Sequence, residues 1–211
     1  MKPDYWNEAT RVLGRRDPVM RRLIREYPDV SVQRRGDAFT TLARAIVGQQ
    51  ISVRAAQTVW DRFAAVAGAA GEPPRLDPAA VGRKRLPTLR RCGLSERKAG
   101  YIRDLARHFV TGALDPGQWP ALPDEALIER LCDVRGIGRW TAEMFLIFHE
   151  LRPDVFPVDD IGLQRGIALH YTGGERIPAA AMRVLAAPWQ PWRSVATWYL
   201  WRSLDPIPVE Y

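Results

Sequence analysis

Phe39, Leu42, Ala43, Ile46 and Val47 fall at i, i+3, i+4, i+7 and i+8, the spacing that lines up one apolar face of an α-helix. The same periodicity recurs at Ala56, Val59, Trp60 and Phe63 after Ser52, and at Ile102, Leu105, Ala106 and Phe109 after Ser95. Each serine stands where a side-chain oxygen can cap a helix start. Met144 to Phe148 is continuously apolar, which predicts a buried helix, and no segment shows a convincing strand alternation. Loop compositions separate these stretches: Gly71-Glu72-Pro73-Pro74, the span from Thr111-Gly112 to Pro123, and Thr172-Gly173-Gly174. There is no internal repeat, low-complexity tract or long linker. The pattern predicts an all-α protein without tethered domains.

Composition narrows the classes. A chain of 211 residues with 46% hydrophobic content can bury a core as one compact unit or as two small subdomains. Lys and Arg number 31 against 24 Asp and Glu, a net charge of +7. That balance favours a polyanionic partner, although it also serves solubility. Residues 1–16 carry charges throughout and lack the apolar run of a signal peptide or membrane span, so a cytoplasmic protein with no membrane partner is expected. Cys92 and Cys132 do not form a C-x-x-C pair, and His108, His149 and His170 are scattered. A catalytic metal held by side chains is therefore not expected, and chemistry falls to carboxylates, aromatics and backbone groups.

The most informative segment runs from Leu131 to Ala142, with Gly136-Ile137-Gly138 between two helical stretches. Asp124 and Glu125 after Pro123 suit the start of the first helix, where negative charge meets the positive dipole end. Glycines at 136 and 138 remove Cβ atoms where the chain turns, so amides opening the second helix can approach an anion closely. A tight αα turn without a ligand would carry the same glycines.

The order of amphipathic helix, Val134, Gly-Ile-Gly, basic residue and small-residue helix start resembles the helix-hairpin-helix DNA glycosylase superfamily. The resemblance extends to Phe156-Pro157-Val158-Asp159-Asp160, a Pro-containing loop ending in Asp. Ile46 to Ser52 and Pro191-Trp192-Arg193-Ser194 are similar to the alkylbase branch represented by DNA-3-methyladenine glycosylase II. The resemblance implies two helical subdomains with a cleft between them, one from residues 37–150 with the hairpin, the other from both chain ends, 1–36 and 151–211. An additional N-terminal domain found in some relatives is not expected in a chain of this length.

What the resemblance implies for function is a monofunctional glycosylase of base excision repair, acting on damaged DNA as a monomer. It would flip an alkylated purine of the 3-methyladenine type out of the duplex and hydrolyse its N-glycosidic bond. Asp160 aligns with the catalytic carboxylate, either stabilising positive charge on the sugar or activating water. Asp159 beside it has a structural reading as the cap of the following helix. Trp140 takes the place of the Schiff-base lysine of strand-cleaving relatives, so no lyase activity is expected, and its indole either suits a cationic base or packs in the core. Trp201 matches a second pocket aromatic, whereas Trp198, Tyr199 and Trp201 cannot all point one way on a helix.

Gln50 stands where a side chain wedges into the duplex, or is an ordinary polar loop residue. Gly136, Ile137, Gly138 and Arg139 would grip the DNA backbone. No cofactor is required, but the carbonyls of Cys132, Val134 and Ile137 are implied to hold a monovalent cation, sodium or potassium. Arg83, Lys84, Arg85, Arg90, Arg91, Arg97 and Lys98 form a basic stretch that suits phosphate or is merely solvated surface, and Arg193 is expected to buttress the cleft through a buried ion pair. Two alternatives stand beside this reading: a non-enzymatic helix-hairpin-helix DNA-binding module, and a glycosylase for another lesion class.

Overall fold

A computed structural model describes residues 2–28, 31–34, 36–71 and 74–204. The all-α expectation holds: twelve α-helices form among the described residues, and the β-structure there is one isolated antiparallel bridge, Ala70 with Arg75. The chain divides into two compact units, residues 1–34 with 146–211, and residues 35–145. No helix among the described residues is long and apolar enough to cross a membrane.

The unit of residues 35–145 contains α3 (Ala38–Gly48), α4 (Val53–Ala67), α5 (Pro78–Gly82), α6 (Leu86–Arg91), α7 (Glu96–Val110), α8 (Asp124–Cys132) and most of α9 (Arg139–Phe148). The apolar face read from the spacing is the buried one, with Phe39, Leu42, Ala43, Ile46 and Val47 at most 2% exposed. Ser52 caps α4 by accepting from the Ala55 amide, and Ser95 caps α7 by accepting from that of Lys98. A run of edge-to-face rings links Phe39, Phe109, Trp119 and Phe145 at centroid distances of 5.3, 6.2 and 5.5 Å. Such pairs add specificity beyond the area they bury.

The other unit is built from α1 (Trp6–Arg16) and α2 (Pro18–Glu26) with α10 (Ile161–Tyr171), α11 (Ala179–Leu185) and α12 (Arg193–Leu204). Asp17 explains how distant parts of the chain close on each other. Its Oδ1 accepts from the amides of Val19 and Met20, capping α2 ahead of Pro18. Its Oδ2 accepts from the Tyr171 hydroxyl and the Trp189 indole, each at 2.8 Å. Four donors satisfy one buried carboxylate, offsetting the cost of removing it from water. Burial, and next the adjacent Asp17 charge, push the Tyr171 phenol well above its ordinary pKa.

Helices α10 and α12 approach closely because Gly166 lacks a side chain: an added Cβ would lie 2.9 Å from that of Leu200. Arg193 forms an ion pair, but a part-exposed one rather than the buried pair expected, each side chain being 25% exposed. Its Nε and Nη2 donate to the two carboxylate oxygens of Asp154 at 2.8 and 2.9 Å. The Ser194 amide bonds the Pro153 carbonyl, and the Val155 amide bonds Ser194 Oγ. The start of α12 thereby fixes the loop that leads into α10.

Candidate active site and hairpin

The hairpin joins α8 to α9. Val134 and Ile137 turn into the core at 0% and 4% exposure, while the Ile137 amide bonds the Val134 carbonyl at 3.0 Å. The Ile137 N–H is thus spent within the turn. The Arg135 amide donates to Oδ2 of Asp104, a buried acid on α7, at 3.0 Å. Burial alone would raise the Asp104 carboxyl, but the Arg135 amide, the Arg107 guanidinium and His108 outweigh it and hold the pKa below the ordinary value.

The two glycines of the turn stand in different surroundings. Gly136 has φ 90°, and a Cβ there would lie 2.2 Å from Cδ2 of Tyr101. It is required for conformation and for packing against α7. Gly138 is exposed, with no heavy atom within 4 Å of an added Cβ. The Ala142 amide makes the first intrahelical bond, to the Gly138 carbonyl, and the amides before it point out along the helix axis.

The side chain of Arg139 is engaged within the protein. Its Nη1 and Nη2 grip the two oxygens of Glu125 at 2.5 and 2.7 Å, and Nε reaches Glu143 at 3.1 Å. The hydrogen bond from Arg139 lowers the Glu125 pKa, and that bond raises the pKa of Arg139. The guanidinium ties α8 to α9, while its backbone lies at the exposed helix start. Trp140, next along, is 40% exposed, an unusual position for an indole.

Gln49 connects the Ile46-to-Ser52 motif with the hairpin, its Nε2 donating to the Gly136 carbonyl at 2.8 Å. Gln50 is exposed at φ 58°. Lys98 does not belong to the solvated basic stretch: its ammonium donates to the carbonyls of Val47 and Gln49. Arg97 leans on the Tyr101 hydroxyl and Arg90 pairs with Glu96 at 3.7 Å, whereas Arg83, Arg85 and Arg91 are exposed.

In the other unit, Asp160 is buried at the start of α10, and Asp159 is exposed. The capping role expected of Asp159 belongs to Asp160, whose Oδ1 accepts from the Leu163 amide at 2.6 Å. The reason is local geometry: Asp160 occupies the N-cap position, in extended conformation, three residues before that amide. The same Oδ1 accepts from the Trp201 indole at 2.7 Å.

Trp201 stacks on Phe148 at 5.6 Å with an interplanar angle of 15°, and Trp198 meets the same ring edge-on at 5.9 Å. Tyr199 instead faces Trp6 in the core. Gly162 makes room for this arrangement, since a Cβ there would sit 2.9 Å from Trp201 and 3.1 Å from Asp160 Oδ1. Sequence reading missed Gly162, Phe148, Asp104, Gln49 and the true place of Lys98. Only the Gly162-x-x-x-Gly166 spacing, a small-residue stripe along α10, and an acid on the apolar face of α7 were available as signals.

Comparison with known proteins bears on this arrangement. Residues 43–192 match the model of the HhH-GPD superfamily base excision DNA repair protein. DNA-3-methyladenine glycosylase 1 of Schizosaccharomyces pombe is 31% identical over 188 residues, 86% of this chain and 79% of that protein. The solved structure of the S. pombe 3-methyladenine DNA glycosylase in complex with abasic DNA superposes with a TM-score of 0.79 at 27% identity, over 96% of this chain and 100% of that one. The DNA-3-methyladenine glycosidase of Bacillus halodurans gives a TM-score of 0.81 at 32% identity, over 93% and 89%. The chain spans 59% of the length of a Bacillus subtilis relative that is 32% identical over 171 residues. The matched region contains both the hairpin and the Asp160 loop, and the chain belongs to the HhH-GPD superfamily of base excision DNA repair proteins.

Proposed function

We propose that the protein is a DNA glycosylase that flips alkylated purines of the 3-methyladenine type out of DNA and hydrolyses the N-glycosidic bond. The observation that carries this reading is Asp160, a buried carboxylate whose Oδ1 is held by a helix amide and an indole N–H. Breaking the bond to the base develops positive charge on the sugar. A carboxylate fixed beforehand stabilises that charge without reorganising, or takes the proton of the attacking water. Alkylation weakens the bond and makes the base a better leaving group, so no general acid is needed.

Several residues support the remaining steps. The exposed indole of Trp140 offers its face to a cationic base, and without an amine there the enzyme forms no Schiff base and cuts no strand. The open start of α9 at Gly138 receives a phosphate. A monovalent cation would be held by the carbonyls of Cys132, Val134 and Ile137. The residues fit, because a carbonyl oxygen has two lone pairs and that of Val134 gives one to the Ile137 amide. Such a cation supplies positive charge between the turn and a phosphate. The enzyme acts as a monomer in the cytoplasm, with damaged DNA as partner and no membrane.

The test is release of free base from methylated duplex DNA by the native protein, Asp160→Asn and Asp159→Asn. Methylpurine release lost only with Asp160→Asn is expected. Tight binding to duplex with no base released would instead identify a non-enzymatic DNA-binding module.

A further inference from the structure

We propose that Lys98 is a positioning residue for the DNA wedge, holding the end of α3 so that Gln50 is presented in the left-handed conformation. The inference rests on the glycosylase reading above and deepens it by naming what keeps the wedge in place. The last carbonyls of a helix have no amide partner within it and carry the negative end of its dipole. At the end of α3, the Lys98 ammonium donates to the carbonyls of Val47 at 2.8 Å and Gln49 at 2.6 Å. Gln49 is therefore held twice, through its own carbonyl by Lys98 and through its side-chain amide by the Gly136 carbonyl at 2.8 Å.

The next residue, Gln50, is exposed and has φ 58°, a conformation that a side chain with Cβ adopts only when its surroundings impose it. Without the two ties on Gln49, the backbone at Gln50 is free to return to an ordinary region, and its side chain would then leave from a different direction. The lysine itself is drawn away from solvent: burial lowers its pKa from the usual value. Its place among the basic residues of 83–98 suggests a phosphate contact, but its hydrogen bonds go to protein carbonyls. The side chain of Gln49, moreover, links the wedge to the hairpin, so phosphate capture and wedge insertion share one rigid support.

The experiment combines Lys98→Met, Gln49→Leu and Gln50→Ala, singly and in pairs. Two readouts are needed: single-turnover base release from methylated duplex, and the fluorescence of 2-aminopurine placed beside an abasic analogue in a duplex, which reports unstacking by the wedge. Native release of methylpurine tests the glycosylase reading, and the fluorescence tests the wedge and its positioning, so either can fail alone. Lys98→Met is expected to reduce the fluorescence change and to slow release about tenfold, in the range that misplacement of a working group produces. The loss should match that of Gln50→Ala, and the double variant should lose no more than either single.

The slope of log K against log salt is expected to stay unchanged in Lys98→Met. A slope smaller by about 0.9 would make Lys98 a phosphate contact and overturn the proposal. Multiplicative losses in the double variant, or no fluorescence change with the native protein, would overturn it too. If Lys98→Met does not melt cooperatively, Gln49→Leu, which leaves the lysine in place, carries the same comparison with Gln50→Ala.

Discussion

The hairpin and the Asp160 loop rest on opposite halves of protein chemistry. In the proposed function the hairpin works through backbone amides and carbonyls, and side chains serve as their scaffolding. Asp104 anchors the Arg135 amide, Tyr101 fills the space above Gly136, and Arg139 is spent on Glu125 and Glu143. In the same proposal the working group at Asp160 is a side chain, which one backbone amide and Trp201 orient. The difference teaches where damage should appear: in the hairpin as lost binding, joined by lost stability where the scaffolding contacts are broken, at Asp160 as lost bond cleavage with binding kept.

The sharpest test of that contrast is Asp160→Asn, expected to lower the rate of base release by about 10²–10³-fold while binding to an abasic-site duplex persists. Its remaining side-chain oxygen can still cap α10, so the melting temperature should change little. Next in size is Gly136→Ala. Positive φ and a Cβ 2.2 Å from the Tyr101 ring cost about 2–4 kcal/mol, seen as a melting temperature lower by roughly 5–15 °C. Gly138→Ala, in open space, should leave melting nearly unchanged and weaken DNA binding alone; equal melting losses in the two variants would erase the distinction between the glycines.

Trp201→Phe keeps the ring stacked on Phe148 but deletes the N–H that meets Asp160. A hydrogen bond to a charged group is worth about 1.5–3 kcal/mol, so kcat should fall by roughly 10- to 100-fold, with little change in affinity for DNA. Asp104→Asn probes the hairpin side through pH. Because the folded pKa of Asp104 is depressed, its stabilisation is present above its unfolded value of about 3.9 and is lost as pH falls through the folded one. The native protein should therefore be the more stable at pH 7, by about 1–3 kcal/mol, with the gap closing in acid; a gap independent of pH would remove the charge from the account. The smallest effect is Arg91→Ala on the exposed basic stretch, which should reduce the salt slope of binding by about 0.9 if that arginine meets phosphate.

Local readings along the chain were dependable where the signal was local. The α3 face, the Ser52 and Ser95 caps and the position of the hairpin all follow from residues within a few positions of one another. The cap that Asp159 could supply falls to Asp160, because two adjacent aspartates offer the same chemistry and only backbone angles decide which oxygen reaches the Leu163 amide. Lys98 read as surface charge, since nothing near it in sequence reveals the two carbonyls that claim it.

What the chain by itself determined was therefore the helical class, the breaks between helices, the glycine turn between α8 and α9 and the Asp-bearing loop ahead of α10. These arise from periodicity, capping and turn residues, all short-range properties. Tertiary structure alone decided which side chains serve and which support. Trp201 reaches Asp160 across 41 residues, Lys98 reaches Gln49 across 49, and Tyr171 reaches Asp17 across 154. Such partners are selected by close packing, where one missing Cβ at Gly162 or Gly136 admits a ring and an added one excludes it, and that geometry is written in no local pattern.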